Sequence, residues 1–518
     1  MGVALLLVAA ASPHGIKEGG TFRIAGWSFE AIDPAFDPFV LEGAACGKLM
    51  GYRDKPIPEG LRLRPELAEG EPVVSRDGKT YTFIIRKKAR FSDDKPVTAR
   101  AFARALERIL TPAMESFLSG KFSDIVGAQK MLDGKATTLA GAVAKGRTLT
   151  LRLTRRVPDF LVRTTALCAV PPTLPIDPEG VQAPIHSAAP YYGSQYVPGE
   201  RLVLERNRFY KRNRVHHVAR FVANIAADPR PFVEDVANGT LESVGLRASD
   251  IAGVVDALAR RYGVNKPGGQ FFIERGTDLR MFVLNTSRPL FKNNSKLRQA
   301  LNLAVDRRQL TRELGPRIGT ATDQYLAPVT PGFRDERIYP LKGPDLKEAR
   351  ALAKGHMRRG KVVLYTPNLL ARAAGGQVLK ENLEALGLEV DHVQHPPTLH
   401  FAKIANPSEP FDIADVGFGW DDPHYLLNVL FDGRTIGQPG FYNRSYFDSS
   451  KYNRLLEEAS RLTGSARYRA YGELDVMLSR DAAPAIPFAV LNNWAFVSAR
   501  VGCVVMNPWL DLTAICLK

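Results

Sequence analysis

The stretch Leu67–Phe102, LAEGEPVVSRDGKTYTFIIRKKARFSDDKPVTARAF, decides how this chain folds, because the spacing of its apolar residues changes from strand-like to helix-like within one short segment. Pro72–Ser75 and Thr80–Arg86 flank Arg76-Asp77-Gly78-Lys79, whose Asp-Gly pair suits a tight turn, so the segment predicts a β-hairpin. Pro96-Val97-Thr98 then opens a helix. Thr98 is placed to cap it, and Phe102, Ala105, Leu106, Ile109 and Leu110 recur at helical spacing until Thr111-Pro112 stops it.

Outward from this unit, Gly19–Gly26 reads as an earlier strand, and Arg147–Thr154 as a later one. The proline-rich Pro171–Pro184 reads as a crossover, and Arg201–Glu205 completes a further hairpin after Pro198-Gly199-Glu200. The pattern changes beyond Asp278. Leu279–Asn285 is an apolar strand, and Ser295–Leu314 predicts one amphipathic helix with Leu297, Ala300, Leu301, Ala304, Val305 and Leu310 facing inward. Helix Asp345–Lys354, strand Lys361–Tyr365, helix Ala373–Leu386 ended by Gly387, and strand Leu388–Val393 follow; such alternation predicts a sheet covered by helices. Helices Asp448–Leu462 and Ala466–Arg480 lead to an apolar strand, Ala485–Leu491, that returns the chain to its first half.

At 518 residues the chain exceeds a single ordinary core, which predicts at least two lobes. A formal charge of +16 would suit nucleic acid or an anionic surface, but the basic residues are spread along the chain. Their densest run, Arg206–Arg220 (RNRFYKRNRVHHVAR), reads as a solvated hairpin and loop, so no nucleic-acid partner is expected. Met1–Ser12 (MGVALLLVAAAS) has the length and apolar character of a signal-peptide core, which predicts export to the periplasm or the extracellular face of the envelope. Beyond it no apolar run reaches the length of a membrane-spanning helix. Four cysteines, Cys46, Cys168, Cys503 and Cys516, leave two readings open. Either Cys503 and Cys516 staple a C-terminal strand-turn-strand, leaving Cys46 to pair with Cys168, or all four are buried thiols.

Four blocks resemble the family 5 extracytoplasmic solute-binding proteins of peptide, dipeptide and nickel ABC importers. The first is Leu67–Phe102, with Asp94 where the family's turn has glycine. The second joins Ala189-Pro190-Tyr191-Tyr192 to Tyr196–Leu204 and Asn207, with Ala189 in place of glycine. The third is Asn285–Leu310 (NTSRPLFKNNSKLRQALNLAVDRRQL), and the fourth is Phe411–Leu427 (FDIADVGFGWDDPHYLL), whose loop is about two residues shorter than is usual in the family.

The resemblance implies an α/β, type II periplasmic-binding-protein-like fold: two lobes joined by hinge strands, plus an inserted subdomain. The expected division is a leader over 1–15, lobe I over 16–46, 175–278 and 486–518, the inserted subdomain over 47–174, and lobe II over 279–485. It also implies a monomeric protein that captures a peptide or peptide-like solute between the lobes and delivers it unchanged to ABC importer permease subunits, without a cofactor. By position, Asp421 is the carboxylate for the solute's α-ammonium, with Asp422 beside it. Trp420 and Phe418 would wall the cleft, with Trp27, Phe29 and Asp33 on one border and Asn493 and Trp494 on another. Nickel or another small solute is the alternative, with His392, His395 and His400, or His216-His217, as candidate ligands. A hydrolase is the remote alternative, since no nucleophile elbow, Walker loop, zincin motif or dinucleotide fingerprint occurs.

Overall fold

The computed structural model describes residues 16–27, 32–36, 43–52, 54–57, 59–211, 214–226, 228, 230–245, 252–358, 361–420, 422–437, 442–507 and 509–518. The leader-like segment 1–15 lies outside them, as do Phe29 and Asp421. Strand β1 (Thr21–Trp27) buries Phe22 and Ile24 on one face, the alternation that a half-buried strand requires. The chain then enters a four-stranded antiparallel sheet of β2 (Val73–Val74), β3 (Thr80–Ile84), β4 (Ala142–Lys145) and β5 (Thr148–Arg152), in the order β2-β3-β5-β4. Tyr81, Phe83, Leu149 and Leu151 point from it into one cluster with Phe102 and Leu106 of α1 (Ala99–Ile109). Thr98 stands at the start of α1 as expected, yet its side chain makes no capping hydrogen bond. The short helices of this subdomain include α2 (Ser119–Phe122) and α3 (Phe160–Arg163).

Strands β6 (Tyr191–Val197), β7 (Arg201–Arg206), β8 (Arg220–Ile225) and β9 (Ser243–Val244) join β1 in a five-stranded sheet ordered β9-β1-β8-β7-β6. Strand β1 runs parallel to both β8 and β9. The basic run between β7 and β8 is not wholly solvated. Arg214 is buried within 3.5 Å of Asp54, 3.7 Å of Glu66 and 3.9 Å of Asp511, because three enclosed carboxylates from distant segments need a shared counter-charge.

A six-stranded sheet holds β10 (Phe271–Leu284), β11 (Gly319–Ala321), β12 (Val362–Pro367), β13 (Val390–His395), β14 (Ile413–Gly419) and β15 (Ala485–Phe496), in the order β11-β15-β10-β14-β12-β13. Both long strands exceed their sequence-based limits. Strand β10 has 14 residues, its first half hidden in the sequence by Glu274, Arg275, Gly276 and Thr277. Strand β15 continues to Phe496, and the pair runs antiparallel from Phe271 opposite Phe496 to Val283 opposite Ala485. Phe272 packs on the core of the five-stranded sheet, while Leu284 lies in the core beside the six-stranded one, so these strands span both bodies of the molecule.

The single helix expected over Ser295–Leu314 is two, α4 (Ser295–Ala304) and α5 (Arg307–Leu314). Val305 is extended, and the Asp306 carboxylate accepts from the Gln309 amide at 2.9 Å, so a local cap restarts the helix where apolar spacing alone suggests continuity. Helix α6 (Leu370–Leu386) ends on Gly387, whose φ of 104° belongs to the left-handed region that favours glycine. Helices α7 (Pro423–Phe431) and α8 (Gly464–Met477) cover the opposite face of the sheet. Of the two cysteine readings the disulfides hold, with Cys46 joined to Cys168 and Cys503 to Cys516. No helix among the described residues is long and apolar enough to cross a membrane.

Candidate functional site

In open sheets with parallel strands, ligands collect outside the carboxyl ends, where loops diverge and no side chains fill the space. Strand β14 runs parallel to β12 and antiparallel to β10, so its carboxyl end, Gly419, lies opposite Asp278 in the middle of β10. Trp420 follows at once. Strand β1 likewise ends on Trp27, half-buried, before residues 28–31, which lie outside the described set.

Phe418 and Trp420 both lean on Tyr425 of α7, with ring centroids 6.1 Å and 4.8 Å away. Phe418 also meets Tyr442 at 5.0 Å and packs on the apolar core behind the sheet. The Trp420 indole N–H is buried without an acceptor. Asp422 is only 2% exposed and is engaged by the protein itself. One oxygen accepts from the His424 amide at 2.9 Å, capping α7, and both oxygens meet the Arg467 guanidinium at 2.8 and 2.7 Å. Asp33 is likewise enclosed, bidentate to Arg108 of α1 and accepting from the amides of Ala35 and Val181. Trp494 pairs with Ile273 on the long strands, 6.2 Å from the Phe271 ring, and packs on the core; Asn493 is buried opposite Glu274. These two therefore support the strand pair that joins the sheets.

The structure adds residues that no sequence spacing brings together. Lys121 of α2 stands over the Trp420 ring with Nζ 3.9 Å from its centroid, and the Arg163 guanidinium of α3 stands 5.0 Å from the Tyr425 ring. Between them Asp159 is fully buried, taking the Arg163 Nε at 3.0 Å and lying 2.7 Å from the His424 Nδ1. Burial alone would raise the Asp159 carboxyl, but the charges of Arg163 and His424 outweigh it and hold that carboxyl well below the usual carboxylate range. The four-stranded subdomain thus closes directly on α7 and the Gly-Trp loop.

Under the carboxyl end of β14 lies a second charged group. Asp415 is shared by Arg280, at 3.0 Å, and Arg372, at 2.7 Å. Burial opposes its ionisation, yet the two guanidinium groups bring its carboxyl down to about 2, while burial lowers Arg280 to about 10. The one sequence signal for this group was the alternation of Asp278 and Arg280 with Leu279 and Met281, charged residues on a strand otherwise apolar to its end. The histidines of the nickel alternative each have their own neighbour. His392 meets Thr366 at 2.8 Å, His400 meets the Asp415 carbonyl at 2.8 Å, and His395 packs edge-on to Tyr365. His216 meets the Arg214 carbonyl and His217 meets Glu18. No group of three metal-capable side chains forms among the described residues.

The model of the family described as bacterial extracellular solute-binding proteins, family 5 Middle, matches residues 62–438. The chain is 23% identical over 470 residues to heme-binding protein A of Haemophilus influenzae, covering 86% of this chain and 82% of that one. It is 22% identical over 513 residues to the periplasmic oligopeptide-binding protein OppA of Escherichia coli, covering 92% and 87%. Among solved structures, clavulanic acid biosynthesis oligopeptide binding protein 2 superposes with a TM-score of 0.82 at 22% identity, over 97% of this chain and 96% of the other. That likeness shows the fold, and with it the α/β class expected from the sequence.

Proposed function

Because the chain belongs to the bacterial extracellular solute-binding proteins of family 5, we propose that it is the exported binding component of an ABC importer, capturing a peptide or peptide-like solute. It works as a monomer, without a cofactor and without nucleic acid, and passes the solute unchanged to permease subunits. The division into lobe I, inserted subdomain and lobe II at the boundaries given above belongs to this reading. The observation that carries it is the aromatic Gly419-Trp420 end of β14, which the four-stranded subdomain meets through Lys121, Asp159 and Arg163. A solute there touches both bodies, the condition for ligand to favour a closed form. The oligopeptide-binding relative supports the choice of cargo.

In this reading Asp421 receives the α-ammonium of the solute, Trp420 and Phe418 form its apolar wall, and Asp422, held by Arg467, fixes the loop to α7. Thermal shift against short peptides and nickel salts tests it: peptides should raise the melting temperature and nickel should not. In the same assay Asp421→Ala should weaken free peptides by roughly tenfold or more while leaving N-acetylated ones near wild type. Stabilisation by nickel alone, or equal losses for both peptide forms, contradicts it.

A further inference from the structure

Most enclosed carboxylates near the cleft have a protein counter-charge. Asp33 has Arg108, Asp159 has Arg163, Asp415 has Arg280 and Arg372, and Asp422 has Arg467. Asp278 is different. Among the described residues its carboxylate makes no hydrogen bond and no ion pair, although it is half-buried between two strands. Burial pushes this carboxyl up, and Arg280, whose own fork is turned to Asp415, offsets only some of that. A half-buried carboxylate without a protein partner has lost part of its hydration with nothing in return, so the arrangement suits a cation from outside the chain.

Its position answers where such a cation would come from. Asp278 lies opposite Gly419, the last residue of β14, and a Cβ built on Gly419 would fall 1.9 Å from the Asp278 Oδ1. The carboxylate therefore occupies the space that any side chain at 419 would take, next to Trp420 and its unpaired indole N–H. The ladder between β10 and β15 is interrupted between Arg275 and Leu279, so Asp278 is released from pairing with β15 while it stays in register with Gly419 of β14. Gly417, the neighbouring position on the same face of β14, makes room in the same way: the Arg280 side chain lies 3.4 Å from its Cβ position, and the Arg280 Nε is buried without an acceptor.

We infer that Asp278 is a solute-binding carboxylate that receives a cationic group of the bound solute across Gly419. This rests on the proposed solute-binding role of the cleft and narrows it to solutes that bring a cationic group to this point. Specificity then comes from a charge-assisted contact in a partly dry site, where a neutral analogue leaves the carboxylate unpaired.

Asp278→Asn keeps the shape beside Gly419 and removes the charge. Calorimetry on the full chain, with trialanine, N-acetyl-trialanine, Lys-Ala-Lys and cadaverine as probes, should show wild type preferring the probes with free ammonium groups. The variant should bind them roughly ten- to a hundredfold more weakly and bind N-acetyl-trialanine within about twofold of wild type. The ligand-free melting temperature of the variant should stay level or rise, whereas a structural ion-pair partner would lower it. Unchanged affinity for ammonium probes, equal losses for all probes, or a lowered ligand-free melting temperature overturns the role of Asp278. Binding of cadaverine without binding of any peptide upholds Asp278 and overturns the peptide reading; binding of neutral or anionic solutes alone overturns both.

Discussion

The six-stranded sheet meets the rest of the molecule along two seams made of different materials. Along β10 and β15 the seam is backbone: ladder segments with Phe271–Arg275 opposite Phe496–Asn492 and Leu279–Val283 opposite Val490–Ala485, with apolar side chains packed at either end. Along α7 the seam is side chain: Lys121 over Trp420, Arg163 over Tyr425, and Asp159 against His424. Backbone pairing is satisfied in any arrangement that keeps the strands together. The α7 seam is different, because its charged groups are desolvated only where the two surfaces meet, and the cost of that desolvation offsets much of the Coulombic gain. A seam so balanced can be tipped by a small ligand; a ladder of this length cannot. In the proposed clamp, the strand pair is the hinge and the α7 seam the latch.

The largest break in this comparison comes from the latch. Asp159→Ala leaves His424 enclosed without its carboxylate and Arg163 with Asp124 alone, and removing one partner of a buried pair costs about 3–5 kcal/mol. The cost falls on the closed form, since an open form would let water reach both groups. Solute affinity should drop by more than a hundredfold in calorimetry, with the secondary structure unchanged in circular dichroism. An affinity within tenfold of wild type would show that the α7 seam carries little of the closure.

A smaller effect separates the seams by pH. Asp159 has its carboxyl held low, so its contribution is present above the ordinary carboxylate value near 3.8 and is lost only as pH falls through its depressed value. Asp278 has its carboxyl raised, so the folded chain binds that proton more tightly than the unfolded chain. Its contribution is fullest below the ordinary value near 3.8 and declines as pH rises through the raised one. Denaturant melts across acidic pH should therefore show Asp278→Asn gaining on wild type as pH rises, and Asp159→Asn losing ground as pH rises. Parallel curves for both variants and wild type would remove the distinction.

Local chemistry was legible where a few neighbouring residues decide it. The Asp77-Gly78 turn, the stop at Gly387 and the cysteine pairing all follow from residues close in sequence or few in kind. Where the reading failed, a local signal was outvoted. Asp306 caps a new helix inside a continuous apolar stripe, and the polar run Glu274–Thr277 conceals half of β10 because its partners, Asn492 and Asn493, lie on a strand far along the chain. The latch was not legible at all. Asp159 and His424 meet only after the subdomain and α7 have been placed, and neither residue stands out beside its neighbours in sequence. Asp422 carried a binding reading, but its geometry is that of a helix cap before Pro423, held by Arg467. Asp421, on which the peptide assignment turns, lies outside the described residues.

The most direct test of the clamp is small-angle X-ray scattering on the full chain, alone and saturated with a peptide that raises its melting temperature. The account predicts a smaller radius of gyration with peptide, and no such contraction when the same peptide is added to Asp159→Ala. An identical radius with and without bound peptide would contradict closure between a strand hinge and a charged latch.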